Sequence, residues 1–135
     1  MPSGGNNLVV DDCVAPDVFD RLLLATAANP AELVDLYREF LKEAQRTLMD
    51  MRVAGRERRA EDVRNHAHYL KGSSLIMGAL VVARQCGVLE QVSSESDFGQ
   101  IQRLIEQMGT ALAAVERCLT NKLGVSLALG RDTTS

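Results

Sequence analysis

The chain has 135 residues, 46% of them hydrophobic, and carries a formal net charge of −3 at pH 7. That length suits one domain with a buried core, and the acidic balance argues against a general nucleic-acid binder. The aromatic residues are two tyrosines and three phenylalanines, with no tryptophan. Leucine, alanine and valine predominate, which favours helix-on-helix packing over a β-sandwich.

The cysteines and the hydropathy pattern bear on where the protein works. Cys13, Cys86 and Cys118 are odd in number and far apart, and they match neither a disulfide framework nor a metal-binding spacing. We therefore expect reduced thiols in a cytoplasmic protein. No apolar run is long enough to span a membrane, and the N-terminus lacks a basic region followed by an apolar one. We expect neither export nor a membrane partner.

The start of the chain is predicted to form a mobile arm followed by a short helix. Residues 1–10 contain turn-forming residues without periodicity, so a mobile arm is expected there. A first helix is expected over about 17–28, with Val18 and Leu22 inward and Leu23 as a further inward candidate. Pro30 is well placed to open the helix that follows.

A long helix is predicted over about 30–54, and Gly55 is expected to end it. Its apolar residues recur at steps of three and four, the pattern of an amphipathic helix. They are Val34, Tyr37, Leu41, Ala44, Leu48 and Met51.

The next helix carries the same three- and four-residue spacing and is expected to end near Gly78 and Ala79. Its apolar stripe consists of Val63, Ala67, Leu70, Met77 and Val81.

Two more helices complete the pattern. A shorter one has Val82, Cys86 and Leu89 inward, and a polar break over 93–97 supplies N-cap residues for the next. The last helix is expected over about 98–122, with Gly124 as its stop. Its apolar residues are Phe98, Ile101, Ile105, Met108, Leu112, Val115 and Leu119.

Four amphipathic helices joined by short polar turns predict an all-α fold, an antiparallel up-down-up-down four-helix bundle. The short additional N-terminal helix would cover one end. The domain is expected to span 11–123, and 124–135 to form a flexible tail.

His68 is the residue that stands out for function. At about 100° per residue it points about 140° away from the apolar stripe, toward solvent. Gly72, Leu75 and Ala79 are expected beside it on the exposed face. A glycine inside a helix costs about 1 kcal/mol relative to alanine, and an exposed apolar strip is typical of a partner site. The pattern indicates that something approaches this histidine closely.

The residues around His68 suit phosphoryl chemistry. An imidazole with an ordinary pKa near 6.5 is mostly neutral at pH 7 and offers a nucleophilic nitrogen. Lys71 and Arg64 flank the ring, where their charges would bind an anionic group. Asn65 also lies on this face and is a candidate docking residue. These features predict a phosphoryl-accepting histidine that docks against another protein.

Three stretches carry a family resemblance. The run AHYLKGSS at 67–74, the pair GA at 78–79 and the run CGVLE at 86–90 together resemble the histidine-containing phosphotransfer (HPt) domain. The resemblance implies that His68 is phosphorylated, through Nε2. It also implies that Lys71 offsets the phosphate charge and that Gly72 opens access to the ring.

The resemblance further implies a phosphocarrier that moves the group between aspartates of receiver domains. The partners would be response regulators, a hybrid sensor histidine kinase, or both. Mg²⁺ would come from the receiver, and this chain would hold no cofactor. Neither a P-loop nor a kinase glycine-rich loop is present, so ATP-dependent kinase activity is not expected. A monomer is expected.

Other interpretations stay open beside this one. A docking module could use the exposed strip without any chemistry, and it would tolerate loss of His68. A bundle metalloprotein would need Glu-x-x-His units facing inward, and none is evident. His66 and His68 diverge on a helix and cannot share one metal ion. The arginines between 52 and 59 would either steer an acidic partner or form an ordinary charged turn.

Overall fold

The computed structural model describes residues 13–95 and 97–127. Across them the chain forms helices and no strand, which confirms the all-α prediction. The predicted arm over 1–10 lies outside the described residues. The helices are α1 (Pro16–Ala25), α2 (Pro30–Arg56), α3 (Ala60–Met77), α4 (Leu80–Ser93) and α5 (Phe98–Leu123). None of the helices within these two described stretches is both long and apolar enough to cross a bilayer.

The four longer helices surround one core. α3 packs against α2 and α4, and α5 packs against the same two helices, so their contacts close a ring. The short α1 contacts α2 and α3 at one end. Residues predicted inward from periodicity fill the centre, among them Tyr37, Leu41, Met51, Leu70, Leu89, Ile105, Met108 and Leu112.

The helix ends follow local capping chemistry. Asn29 caps α2, its side-chain oxygen accepting from the Ala31 N–H at 3.2 Å, and Pro30 occupies the first turn. Asp97 caps α5 in the same way by accepting from the Gln100 N–H at 3.2 Å. Gly124 ends α5 in the left-handed conformation, at φ 74°.

Gly55 does not end α2, contrary to the sequence prediction. The helix continues to Arg56, and Gly55 is buried within its last turn. A Cβ at this position would lie 3.3 Å from Cδ1 of Ile105. The glycine therefore serves close packing between α2 and α5 and not helix termination.

The first helix is shorter than predicted and turns a different residue inward. It ends at Ala25, and its buried residue is Phe19. Val18 and Leu22 are only partly buried, and Leu23, also predicted inward, is exposed. The Phe19 ring stacks on Tyr37 with a centroid separation of 6.0 Å. This aromatic contact helps to attach α1 to the bundle.

The turn between α3 and α4 corrects two predictions. Gly78 ends α3 at φ 83°, a conformation that side chains rarely adopt, and its added Cβ would lie 3.0 Å from Val18 Cβ. Because the helix stops there, the residues that follow leave the α3 helical wheel. Ala79, predicted on the exposed strip, is fully buried, and Val81, predicted in the apolar stripe, is 46% exposed on α4.

The cysteine prediction is wrong for two of the three thiols. Cys13 and Cys118 form a disulfide with a Cα–Cα distance of 5.9 Å, although 105 positions separate them in the chain. Such proximity depends on tertiary folding and leaves no mark on local spacing. Cys86 is free and buried, and burial raises the pKa of its thiol to about 12.

The chain remains packed past residue 123, where the bundle was predicted to end. Leu127 is fully buried, and its backbone N–H donates to Oγ1 of Thr120 at 3.2 Å. Arg38 donates to the carbonyl oxygen of Ser126 at 3.0 Å. The rest of the predicted tail, 128–135, lies outside the described residues.

Candidate functional site

His68 lies in the middle of α3 on the side away from the core. Its side chain is 72% exposed, while Ala67 and Leu70 beside it are buried. The amphipathic pattern therefore places the imidazole at the surface, as the sequence predicts. The Nδ1 atom is 2.7 Å from Oε2 of Glu90 on α4. Nε2, the other ring nitrogen, does not face Glu90.

Glu90 links the two basic side chains of the site. Its Oε2 contacts His68, and its Oε1 lies 2.6 Å from Nζ of Lys71. The Glu90 side chain is only 19% exposed. Burial alone would raise the pKa of this carboxyl, but hydrogen bonds from Lys71 and His68 outweigh it, so the pKa lies below its usual range. Glu90 is therefore ionised at neutral pH.

An ionised Glu90 determines which nitrogen of the His68 ring carries hydrogen. A carboxylate can only accept hydrogen bonds, so the Nδ1 atom facing it must be the donor. In the neutral ring the lone pair then lies on Nε2, the nitrogen that Glu90 does not touch. The arrangement holds the imidazole in one tautomer and one orientation and leaves a nucleophilic nitrogen facing solvent.

Gly72 follows His68 by one turn, and the protein itself does not require a glycine there. An added Cβ would meet nothing within 4 Å, and α3 keeps ordinary helical geometry through this position. The position is exposed. Its missing side chain therefore leaves open space next to the imidazole and fills no packing requirement within the fold.

An open groove of 760 Å³ runs between α3 and α4 on the Lys71 side of the site. It combines cationic side chains with an exposed apolar surface. Leu75 is 52% exposed, Leu80 44% and Val88 43%. The cations that line it are Arg64, Lys71 and Arg84.

A second apolar pair lies on the other side of Gly72. Tyr69 is 59% exposed and Ile76 is 70% exposed, and they are seven residues apart, two turns of α3. His68 and Gly72 thus have exposed apolar side chains on both sides. Burial of such a surface against a partner would be favourable.

The family model of the Hpt domain matches residues 35–118, which is more than half of the chain. The chain belongs to the Hpt domain family. Members of this family carry phosphoryl groups in phosphorelays and interact with receiver domains or histidine kinases, so this Hpt domain has that role at the level of the family. The matched range contains α3, α4 and the whole His68 site.

A search of solved structures gives the same assignment. The Hpt domain is similar to the crystal structure of histidine-containing phosphotransfer protein B (HptB) from Pseudomonas aeruginosa PAO1. The two have a TM-score of 0.72 and 25% sequence identity, over 83% of this chain and 95% of that one. A search of the curated proteins finds no match.

Most residues that the sequence singled out in this Hpt domain do share one exposed face. Asn65 is exposed one turn before Tyr69, and the Arg64 guanidinium lies at the far limit of an ion pair with Glu61, at 4.0 Å. Leu75 lies in the groove. Ala79 is the exception, because the turn at Gly78 buries it.

Sequence reasoning missed Glu90, Tyr69 and Ile76. Glu90 belongs to the CGVLE run, and the signal for it was a carboxylate directly after the buried Leu89, at the edge of the α4 core face. Tyr69 and Ile76 were an apolar pair two turns apart and off the core stripe. In the described ranges 13–95 and 97–127, no three His, Cys, Asp or Glu side chains cluster in a way that could hold a metal ion.

Proposed function

We propose that this protein carries a phosphoryl group on Nε2 of His68 between aspartates of receiver domains. The observation that supports the proposal is the contact of 2.7 Å between His68 Nδ1 and the Glu90 carboxylate. It leaves the lone pair on an exposed Nε2. An imidazole held in this way is a competent nucleophile without any further base.

In the proposed step, the Nε2 lone pair attacks the phosphorus of an aspartyl phosphate. A nitrogen–phosphorus bond forms, the bond between phosphorus and the aspartyl oxygen breaks, and the aspartate leaves as a carboxylate. The ring becomes positively charged while Nδ1 keeps its hydrogen, and Glu90 offsets that charge. Transfer to the next aspartate runs the same exchange in reverse.

Lys71 would offset the charge on the phosphoryl oxygens. Its ammonium group is bound to Glu90 at 2.6 Å, one helical turn from the histidine, so a small rotation of its flexible side chain brings it toward the phosphoryl oxygens. Arg64 would be a more distant cation of the same kind. Phosphoryl transfer depends chiefly on positioning and on neutralising charge, and these residues supply both.

Docking of the receiver would use the apolar surfaces on both sides of Gly72. Leu75, Leu80 and Val88 form one surface and Tyr69 and Ile76 the other, with Asn65 at the margin. The absent side chain at Gly72 would let the receiver aspartate reach Nε2. Ala79 is not part of the proposed surface.

We further propose that Mg²⁺ and the acidic pocket come from the receiver, and that this chain works as a cytoplasmic monomer without ATP-dependent kinase activity. We also propose an antiparallel up-down-up-down arrangement of α2 to α5, with α1 across one end. Support for the topology comes from the short turns between consecutive helices and from contacts that close a ring.

The test is transfer from a phosphorylated receiver domain in the presence of Mg²⁺. Mass spectrometry under conditions that preserve phosphohistidine should find an acid-labile phosphate on His68, and none in His68→Gln. A docking module without chemistry differs in two outcomes: no receiver of a broad panel would transfer phosphate to the wild type, and His68→Gln would keep full function. Leu75→Asp should weaken receiver binding under either hypothesis.

A further inference from the structure

Residues 13–25, the segment that leads into and includes α1, lie outside the range that matches the family. This segment crosses the end of the bundle where α3 and α5 finish. Val14 is 2% exposed, and the Ala15 N–H donates to the carbonyl oxygen of Gly78 at 2.8 Å. Phe19 stacks on Tyr37 of α2. The segment therefore joins the end of the His68 helix to the rest of the fold.

One covalent bond fastens this segment to α5. Cys13 precedes α1, and Cys118 lies near the end of α5. Their Cα–Cα distance of 5.9 Å falls in the range that a disulfide requires. Both residues are only partly buried, so small reagents can reach the bond, whereas Cys86 is fully buried in the core. Thiol reactivity follows such access.

We propose that Cys13 and Cys118 form a reversible redox staple, opened and closed by thiol–disulfide exchange, that sets the stability of the bundle and the anchoring of residues 13–25. The co-reactant that closes the bond is a low-molecular-weight disulfide, and a dithiol protein opens it by the reverse exchange, becoming a disulfide itself. In closing, one cysteine thiolate attacks the co-reactant disulfide and expels one thiolate. The second cysteine attacks the mixed disulfide and expels the other. The pair loses two electrons and two protons, and the co-reactant is reduced to two thiols.

The expected effect on stability is large because the bond closes a long loop. A link between residues 105 positions apart removes more conformational freedom from the unfolded chain than a short link does. For a domain of this size, we expect the oxidised form to melt on the order of 10 °C above the reduced form.

The staple also bears on the turn after α3. With the bond open, only noncovalent contacts hold Ala15 against Gly78, so amide exchange at Ala15 should speed up. Phosphoryl chemistry should not change in the same way, because His68 lies about 15 Å along the helix from that turn. The proposal stands independently of whether His68 is phosphorylated.

The experiment compares the full chain after oxidised glutathione with the same chain after dithiothreitol. Native alkylation and peptide mapping should label Cys13 and Cys118 only in the reduced form and Cys86 in neither. Oxidation should raise the Tm and slow Ala15 amide exchange in the wild type and in Cys86→Ala. It should do neither in Cys13→Ser or Cys118→Ser.

Other results would overturn the proposal. Cys13 and Cys118 that stay open to alkylation after oxidation would do so, as would a disulfide that links two chains. An equal Tm in the oxidised and reduced wild type would exclude the stabilising role even if the bond forms. Because the wild type serves as its own reference, poor folding of a serine variant does not obscure the result.

Discussion

Two glycines inside helices have opposite surroundings in this molecule. Gly55 of α2 is buried, and Ile105 of α5 comes close enough that a Cβ would stand 3.3 Å from it. Gly72 of α3 faces open space, with nothing within 4 Å of an added Cβ. A helix interior loses about 1 kcal/mol at either position relative to alanine. At Gly55, the close packing of α2 against α5 offsets this loss within the folded chain. At Gly72, no contact within the fold offsets it, so we expect the compensating contact to come from a partner protein.

We therefore expect substitutions around Gly55 to change stability and substitutions around Gly72 to change activity. The largest effect is expected for His68→Gln, one helical turn before Gly72. We expect complete loss of phosphate acceptance because Nε2 is the proposed nucleophile, with the Tm within a few degrees of wild type because the side chain is 72% exposed. Receiver-to-carrier transfer followed by mass spectrometry measures the first effect, and circular dichroism the second. His66→Gln is the matched control and should still accept phosphate.

Enlarging each glycine in turn tests the comparison directly. Gly55→Leu should lower the free energy of unfolding by about 1–3 kcal/mol through overpacking against Ile105, with transfer retained. Gly72→Gln should leave that free energy equal or higher and slow transfer at least tenfold, because its side chain would occupy the approach to the imidazole. Gly72→Ala separates the two effects and should gain up to about 1 kcal/mol. If Gly72→Gln lost as much stability as Gly55→Leu, the two glycines would not differ in the way proposed, and Gly72 would also be required for packing.

Glu90→Gln tests the role of the carboxylate beside His68, because it removes one negative charge and keeps the size of the side chain. A hydrogen bond to a charged group is worth about 1.5–3 kcal/mol, so the initial rate of transfer should fall roughly 10- to 100-fold. Nitrogen chemical shifts of the imidazole should show a more even mixture of the two tautomers. Glu95→Gln makes the same chemical change at an exposed position outside the site and should leave both measurements unaltered. Wild-type rates with an unchanged tautomer ratio in Glu90→Gln would contradict the role given to this carboxylate.

The smallest expected effect is a pH dependence of stability that arises from Glu90. The pKa of this carboxyl is lowered in the folded protein, so its stabilising contribution is present above the unfolded value of about 4.3. That contribution is lost as pH falls below that value and through the folded pKa. Urea unfolding at pH 7 and at pH 3 should therefore show a larger decrease for wild type than for Glu90→Gln. Equal decreases would mean that the ion pair with Lys71 adds nothing to folding.

Periodicity alone predicted the parts of the molecule that depend on local sequence. The steps of three and four through Tyr37, Leu41 and Leu48 gave the core face of α2, and the same argument placed His68 at the surface. It failed where one residue changed the geometry. A helical wheel continued past Gly78 puts Ala79 beside Leu75, but the left-handed glycine ends the wheel, and Ala79 is buried.

Helical periodicity could not predict contacts between residues that are far apart in the sequence. Glu90 comes to His68 from another helix, and its distance from Nδ1 depends on how α3 and α4 pack. The pairing of Cys13 with Cys118 depends on the path of the chain before α1. A glycine near a helix end, such as Gly55, can either end the helix or allow another helix to pack closely. The sequence alone does not distinguish the two, because the neighbouring side chain, here Ile105, comes from a distant part of the chain.

The carbonyl groups at the end of α3 leave little opportunity for the helix to fray. Those of Ser74 and Leu75 accept from the N–H groups of the turn, and that of Gly78 accepts from Ala15. The Met77 carbonyl accepts from the buried Tyr37 hydroxyl at 3.0 Å, and burial raises the pKa of this tyrosine to about 12, so the donor keeps its proton at any ordinary pH. The helix that carries the imidazole is thus held firmly at its C-terminal end, so we expect it to change little in position when a partner docks.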